Sequence, residues 1–274
     1  MKFLVLFRFY LRRHRAAFVA ASVLTFLHHI VFLGIFQFWK KNTALAKLFL
    51  SAVPQTIKDG FGIPMDDLGD PLTFEALYFL RPELRALLLL FGVTAGTAML
   101  AGEVGSGTAD LLFSHPVRRR SAVLATAAAT ALHMIALGVM LACGFLVGVA
   151  IFPMGPGEPG FAAIVPGIGI ALLGSLAIAY TTFLFGAACA SRAQAVGWSL
   201  ALILVPMFLD FIGIFYTPIS TITMFFPEHW WRSHRVVASA AANPVLPLAL
   251  RLAAIAVLSL IASICLAERR DLSR

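Results

Sequence analysis

The stretch SAVLATAAATALHMIALGVMLACGFLVGVAIF, residues Ser121–Phe152, decides the fold class. It holds no Asp, Glu, Lys or Arg, and His133 is its one side chain that ionises near neutral pH. A helix needs about 20 apolar residues to cross the roughly 30 Å hydrocarbon layer of a bilayer. The stretch therefore reads as a membrane span with length to spare. Working outward, comparable apolar runs lie at 16–39 and 85–102 before it and at 162–189, 194–216 and 245–267 after it. Six spans in one domain over 1–274 are expected.

The whole chain agrees with that stretch. Of its 274 residues 60% are apolar and only 12% charged, with mean hydropathy +0.91, whereas a soluble domain carries about a quarter charged residues. Six spans with short connections leave no room for a sizeable soluble domain. The net charge of +8 would point to nucleic acid in a soluble protein. Here the basic residues flank spans, where orientation and anionic lipid headgroups account for them, so no nucleic acid is expected. Cys143, Cys189 and Cys265 fall in different apolar runs with no CxxC, which argues against a disulfide framework or a zinc cluster.

Lys2, Arg8, Arg12, Arg13, Arg15, Arg118, Arg119, Arg120, Arg192, Arg269, Arg270 and Arg274 share one side of the six-span plan, with only Glu103, Asp110, Glu268 and Asp271 among them. The other side balances its basic and acidic residues. The positive-inside rule then puts both termini in the cytoplasm. The first 15 residues place Phe3, Leu6, Phe7 and Tyr10 on one helical face and Arg8, Arg12 and Arg15 on another, the pattern of an interfacial helix. Val5 and Phe9 interrupt its polar face, so an ordinary basic flank of the first span is the alternative. No cleavage site precedes Ala16, and the segment reads as retained. Residues 40–84 are dense in Pro, Gly and Asp and read as an external loop with one short helix near Lys41–Ala52. Trp230 and Trp231, beside His229 and Arg232, read as a headgroup-level aromatic belt.

No G-x-x-x-x-G-K-[ST] motif is present, so the chain has no phosphate-binding loop of that kind. His28 and His29 are adjacent, hence about 100° apart on a helix, and cannot ligate a metal as an i, i+4 pair. With His133 and Asp210 they are candidate intramembrane polar or pathway residues, because ionisable groups at that depth are costly and often functional. Gly92-x-x-x-Gly96 and Gly144-x-x-x-Gly148 let helices approach closely. Pro166 and Pro206 fall inside spans and imply kinks or breaks.

The segment EVGSGTADLLFSHPVRRR, Glu103–Arg120, lies between spans two and three on the cytoplasmic side. Gly105 and Gly107 end the second span, Ser106 or Thr108 can cap a new helix, and Asp110 sits in its first turn, where negative charge suits the helix dipole. Pro116 stops it. The result is a short helix bearing Leu111, Leu112 and Phe113, ready to dock in a partner's groove.

On these residues the chain resembles the ABC-2-type permease subunits of ABC transporters. The matching features are Glu103, Gly107, Thr108, Leu111, Leu112, Pro116, Arg118 and Arg119, with two further matches at Glu268-Arg-Arg-Asp-Leu272 and Ser191-Arg-Ala-Gln-Ala195. Ser114-His115 before the proline departs from the pattern. The resemblance implies an all-α polytopic membrane protein with six transmembrane helices, an N-terminal interfacial amphipathic helix and a short cytoplasmic coupling helix at about 108–115. It implies a bacterial inner-membrane permease domain coupled to a separate cytoplasmic ABC ATPase, which would hold ATP and Mg. This chain would bind no cofactor or metal of its own and would not itself be an enzyme. A second permease subunit, identical or not, is the further expected partner, besides membrane lipid. Glu103 is then either a gate or elbow residue or an interfacial carboxylate satisfied by Arg118 or Arg119. Two other readings stand beside the permease. One is a membrane-embedded enzyme, which needs His28, His29, His133 or Asp210 to converge. The other is a non-transporting anchor or regulator of an assembly.

Overall fold

The computed structural model describes residues 2–61, 67–98, 100–105, 107, 118–213, 215–238 and 245–270. The described chain is helical throughout, without a strand: α1 Lys2–Arg13, α2 Arg15–Lys41, α3 Thr43–Ala52, α4 Gln55–Phe61, α5 Pro71–Leu80, α6 Pro82–Ala98, α7 Leu100–Gly105, α8 Arg119–Ile151, α9 Phe161–Ala188, α10 Arg192–Gly213, α11 Thr217–Thr223, α12 Pro227–Trp230, α13 Ser233–Ala238 and α14 Val245–Arg269. Five of these, α2, α8, α9, α10 and α14, are long and apolar enough to cross a membrane. The multi-pass membrane reading holds.

The second expected span, 85–102, takes another form. It falls in α6, of 17 residues, and α7, of six. At 1.5 Å per residue α6 alone is about 25 Å long, short of a full hydrocarbon layer. Ahead of it lies α5, inside the stretch expected to be external loop. The Asp70 carboxylate accepts the Thr73 amide at 2.7 Å and Pro71 opens the first turn, so the cap and the fixed φ start α5 where the turn-forming residues end. Arg81 then adopts an extended conformation (φ −62°, ψ 131°) and Pro82 restarts the helix as α6. The loop expectation of a single short helix is thus corrected to three helices, α3, α4 and α5, of which α5 is core. Phe74 stacks on Phe32 at 4.3 Å and Tyr78 on His29 at 3.9 Å, so α5 descends along α2 as far as its midpoint.

Glycines set the packing. A Cβ on Gly92 would come 2.7 Å from that of Ala179, and one on Gly144 would come 2.8 Å from the Phe26 carbonyl, so α6 lies against α9 and α8 against α2 at near backbone contact. Half of the most apolar window of α9 is buried, against 22% for α10 and for α14, which places α9 centrally and the other two at the rim. The rim helix α10 exposes Trp198, Leu204, Phe208 and Phe211. Helix assignment runs through Pro166 in α9 and Pro206 in α10.

The bundle has two distinct ends. Arg13, Glu103, Arg119 and the Arg270 carbonyl gather at one, here called proximal, where Arg13 pairs with Glu103 and Arg119 donates to the Arg270 carbonyl. Lys40 donates to the Met154 carbonyl at 2.7 Å, and Gln37 to that of Pro153, at the distal end.

Candidate functional site

At the proximal end, α1 lays Leu6 and Tyr10 against Ala125 and Ala129 of α8. The face expected to lie on the membrane surface is therefore partly a protein contact, while Leu4, Val5 and Phe9 are exposed. His14, between α1 and α2, is buried edge-on against Phe91. Burial, with Arg13, His133 and Arg192 nearby, holds its imidazole down at about 4, so it is neutral at physiological pH. Glu103, in α7, is buried and ion-paired with Arg13, a cation the sequence reading does not name as its partner. The charged side chain thus ties the helix before the first span to the helix that precedes Gly107. Gly107 takes φ +69° with its amide bonded to the Val104 carbonyl at 3.1 Å, the left-handed turn that ends a helix and suits glycine. Arg118 precedes α8 in extended conformation and Arg119 begins it. Thr108, Asp110, Leu111, Leu112, Phe113 and Pro116, the body of the expected coupling helix, lie outside the described residues.

The four candidate intramembrane residues occupy three separate environments. His29 is fully buried, with Nδ1 at 3.2 Å from the Leu141 carbonyl and Nε2 at 3.2 Å from the Glu75 carboxylate. His28 reaches the hydroxyl of Tyr78 at 3.3 Å, so the adjacent histidines flank one tyrosine of α5. His133 is sandwiched by Phe18 and Phe91 at ring separations of 4.5 and 4.8 Å, the setting of a packed core histidine. Asp210, near the end of α10, bonds His229 Nδ1 at 2.9 Å and lies 3.8 Å from Arg232. The convergence that an intramembrane enzyme needs does not occur. Among the described residues no group of three or more His, Cys, Asp and Glu side chains is placed to hold a metal.

Asp210 instead opens onto a distal cavity of about 760 Å³ between α2, α5, α6, α10 and the α12–α13 connection. Arg81, Arg85, Arg232 and Arg235 line it, facing Asp59, Asp210 and Glu228. Arg81 forks onto Glu83 with bonds of 3.1 and 2.8 Å. Arg85 donates to the Trp231 carbonyl at 3.1 Å and lies over the Trp231 ring, while its Nε has no partner. Burial pulls the guanidinium groups of Arg232 and Arg235 below their ordinary value. It pushes the Glu228 carboxyl, neither of whose oxygens has a hydrogen-bond partner, up to about 8. Trp231, expected at headgroup level, is 1% exposed and part of the core, which corrects that reading. Only Trp230 keeps a surface position, its Nε1 bonded to the Met224 carbonyl and its face covered by Arg251 at 4.0 Å.

Sequence reasoning named Asp210 and missed Glu75, Tyr78, Arg85, Glu228 and Arg235. The signal for Glu75 and Arg85 was a charge set inside an apolar run, FEALYFLRPELRALLLL. Assigning 40–84 to a loop hid the first of them.

No curated protein is similar enough to this chain to count as a match. The sequence model described as ABC-2 family transporter protein matches residues 83–228, from the first turn of α6 to α12, and so includes Glu103–Arg120 and the segment before α10. That match covers more than half of the chain and takes in the motif-bearing segment with three of the five long apolar helices, α8, α9 and α10, and the chain therefore belongs to the ABC-2 transporter family.

Proposed function

We propose that this chain is the permease subunit of an ABC-2-type exporter, coupling ATP hydrolysis by a separate cytoplasmic ATPase to movement of a substrate across a bacterial inner membrane. The observation that carries the reading is the family match across Glu103–Arg120, together with the ion pair that joins Glu103 to the helix before the first span. In this reading α6 and α7 together form the sixth span, and both termini lie on the cytoplasmic side with the arginine-rich proximal end. The segment between α7 and α8 docks on the ATPase, which holds ATP and Mg, and a second permease subunit completes the path. The exposed apolar face of α10 is where that second subunit packs.

The docking segment can be tested on its own. Leu112 is one of the three apolar side chains available to fill a groove of the ATPase, and a carboxylate there would be buried without a partner. Co-expressed with the products of the genes that flank its own, the wild-type chain is expected to bring a cytoplasmic ABC ATPase through affinity purification. Leu112→Asp is expected to insert normally and lose it. Retention of the ATPase by Leu112→Asp would remove the coupling assignment, and absence of any ATPase from the wild-type preparation would remove the transporter reading in favour of a membrane anchor.

A further inference from the structure

The distal cavity carries charge for which coupling to an ATPase has no use. Its lining mixes apolar and basic side chains: Phe32, Ile35, Trp39, Leu77 and Phe211 line it together with four arginines, of which Arg81 lies over the Phe32 ring at 5.4 Å. The acids offset them only in part: Asp210 is paired with His229 and lies 3.8 Å from Arg232, Asp59 accepts from Gln55 at 2.7 Å, and Glu228 is enclosed with a raised affinity for its proton. Arg81 is matched by Glu83, whereas Arg85 hydrogen-bonds only a carbonyl and lies over an aromatic face, its buried Nε is without a hydrogen-bond partner, and Asp210 and Glu228 act on it only through their charge. Arg85 is half-buried, and it lines the cavity. A guanidinium in such a recess is stabilised by an anion that it can grip bidentately, a carboxylate or a phosphate. The volume lies within the roughly 300–1,000 Å³ typical of small-molecule sites. Ile35, Phe49 and Phe211, which line it, remain 37%, 53% and 48% exposed, so its apolar lining is continuous with the outer surface of the bundle.

We propose that the distal cavity binds an amphiphile with an anionic headgroup, the headgroup held by Arg85 and Arg232 and the chain lying along Phe32, Ile35 and Phe211 toward the bilayer. The arginines and the aromatic side chains of this one lining supply what the headgroup and the chain of such a molecule each need. Binding does not rest on the transport reading, because it needs neither ATP nor an ATPase.

The test uses the full chain in phosphatidylcholine nanodiscs, titrated with dodecyl phosphate and followed by tryptophan fluorescence, since Trp39 lines the cavity and Trp231 stacks on Arg85. Saturable binding is expected, weakened about ten- to hundredfold in Arg85→Gln by loss of a charge-assisted contact. Arg232→Gln, at a more accessible position, is expected to weaken it in the same direction and serves where Arg85→Gln does not fold. Inorganic phosphate alone is expected to show no saturable change, as is dodecyltrimethylammonium. Doping the nanodiscs with phosphatidylglycerol distinguishes the sources of the ligand: competition identifies a resident lipid, and its absence a free amphiphile, either of which supports the site. Binding of the cationic amphiphile as tight as that of dodecyl phosphate would overturn the proposal. So would equal binding of inorganic phosphate, or wild-type affinity in folded Arg85→Gln and Arg232→Gln proteins.

Discussion

Glu228 carries its charge question in its surroundings. Both carboxyl oxygens are enclosed without a hydrogen bond; burial raises the group to about 8 from an ordinary 4.5, opposed by its own amide and by Arg85 and reinforced by Asp210. A carboxyl whose affinity for the proton is higher in the folded than in the unfolded state contributes stability that is fully present below about 4.5 and is lost as pH rises to about 8. Thermal melts of the purified protein are expected to fall across that window, and Glu228→Gln to flatten the fall. A wild-type melting temperature that rises over the same interval would contradict the assignment. Glu75 poses the same problem inside the bundle, where Oε2 meets His29 and Oε1 meets nothing. Glu75→Ala strands His29 Nε2 and is expected to cost about 1–3 kcal/mol in denaturant titration, with Glu75→Gln costing less. Neither acid was legible as a site in the sequence. Each partner comes from a different segment, His29 from α2 and Arg85 from α6, and a linear reading sees only isolated charges. Asp210 was legible because it stands as the lone acid in an apolar run. His133, equally conspicuous, proves to be a ring packed between Phe18 and Phe91.

Among the elements, the pairing of α8 with α2 depends on the approach permitted at Gly144, where a Cβ would meet the Phe26 carbonyl at 2.8 Å and His29 Cβ at 3.1 Å. Backbone does not yield as a flexible side chain does. Gly144→Val is expected to destabilise by about 1–3 kcal/mol through overpacking. Gly197, in α10, has nothing within 4 Å of the same position, and Gly197→Ala is expected to be neutral or to stabilise by about 0.5–1 kcal/mol through helix propensity. Melting both variants beside the wild type separates the two effects. The long spans were legible because each is a run of apolar residues whose only requirement is length. The short helix α5 was not, because its ten residues fall below a span and its flanks are rich in turn formers. It becomes core through α13, more than 150 residues later in the chain, and through Phe32, Phe36 and His29 of α2, more than 30 residues earlier. Trp231 was misplaced for the same reason, since an indole beside charged residues reads as a surface anchor until α9 and α6 enclose it.

For the whole molecule, the two ends of the bundle differ: an ion pair beside the segment proposed to couple at one and a charged cavity at the other, with α9 and the broken run α5–α6–α7 between them. The Arg13–Glu103 pair is the one described ion pair that links α1 to α7. Arg13 is a third exposed and Glu103 nearly enclosed, so breaking the pair falls between the small cost of a surface ion pair and the larger cost of a buried one, about 1–3 kcal/mol. Glu103 sits four residues before Gly107, and under the proposed function motion of the segment that follows would either drag α1 or pull against it. Glu103→Gln and Arg13→Gln are each expected to leave insertion and ATPase co-purification intact and to lower ATP-driven activity of the assembled complex. The charge-swapped double variant, Arg13→Glu with Glu103→Arg, is expected to recover part of that activity. A double-mutant cycle on the ATP hydrolysis rate of the complex measures this, with association checked in parallel. Additive losses would show that the two side chains act independently and that the pair only anchors α1. A coupling of the expected sign would show that α1 moves with the segment that meets the ATPase.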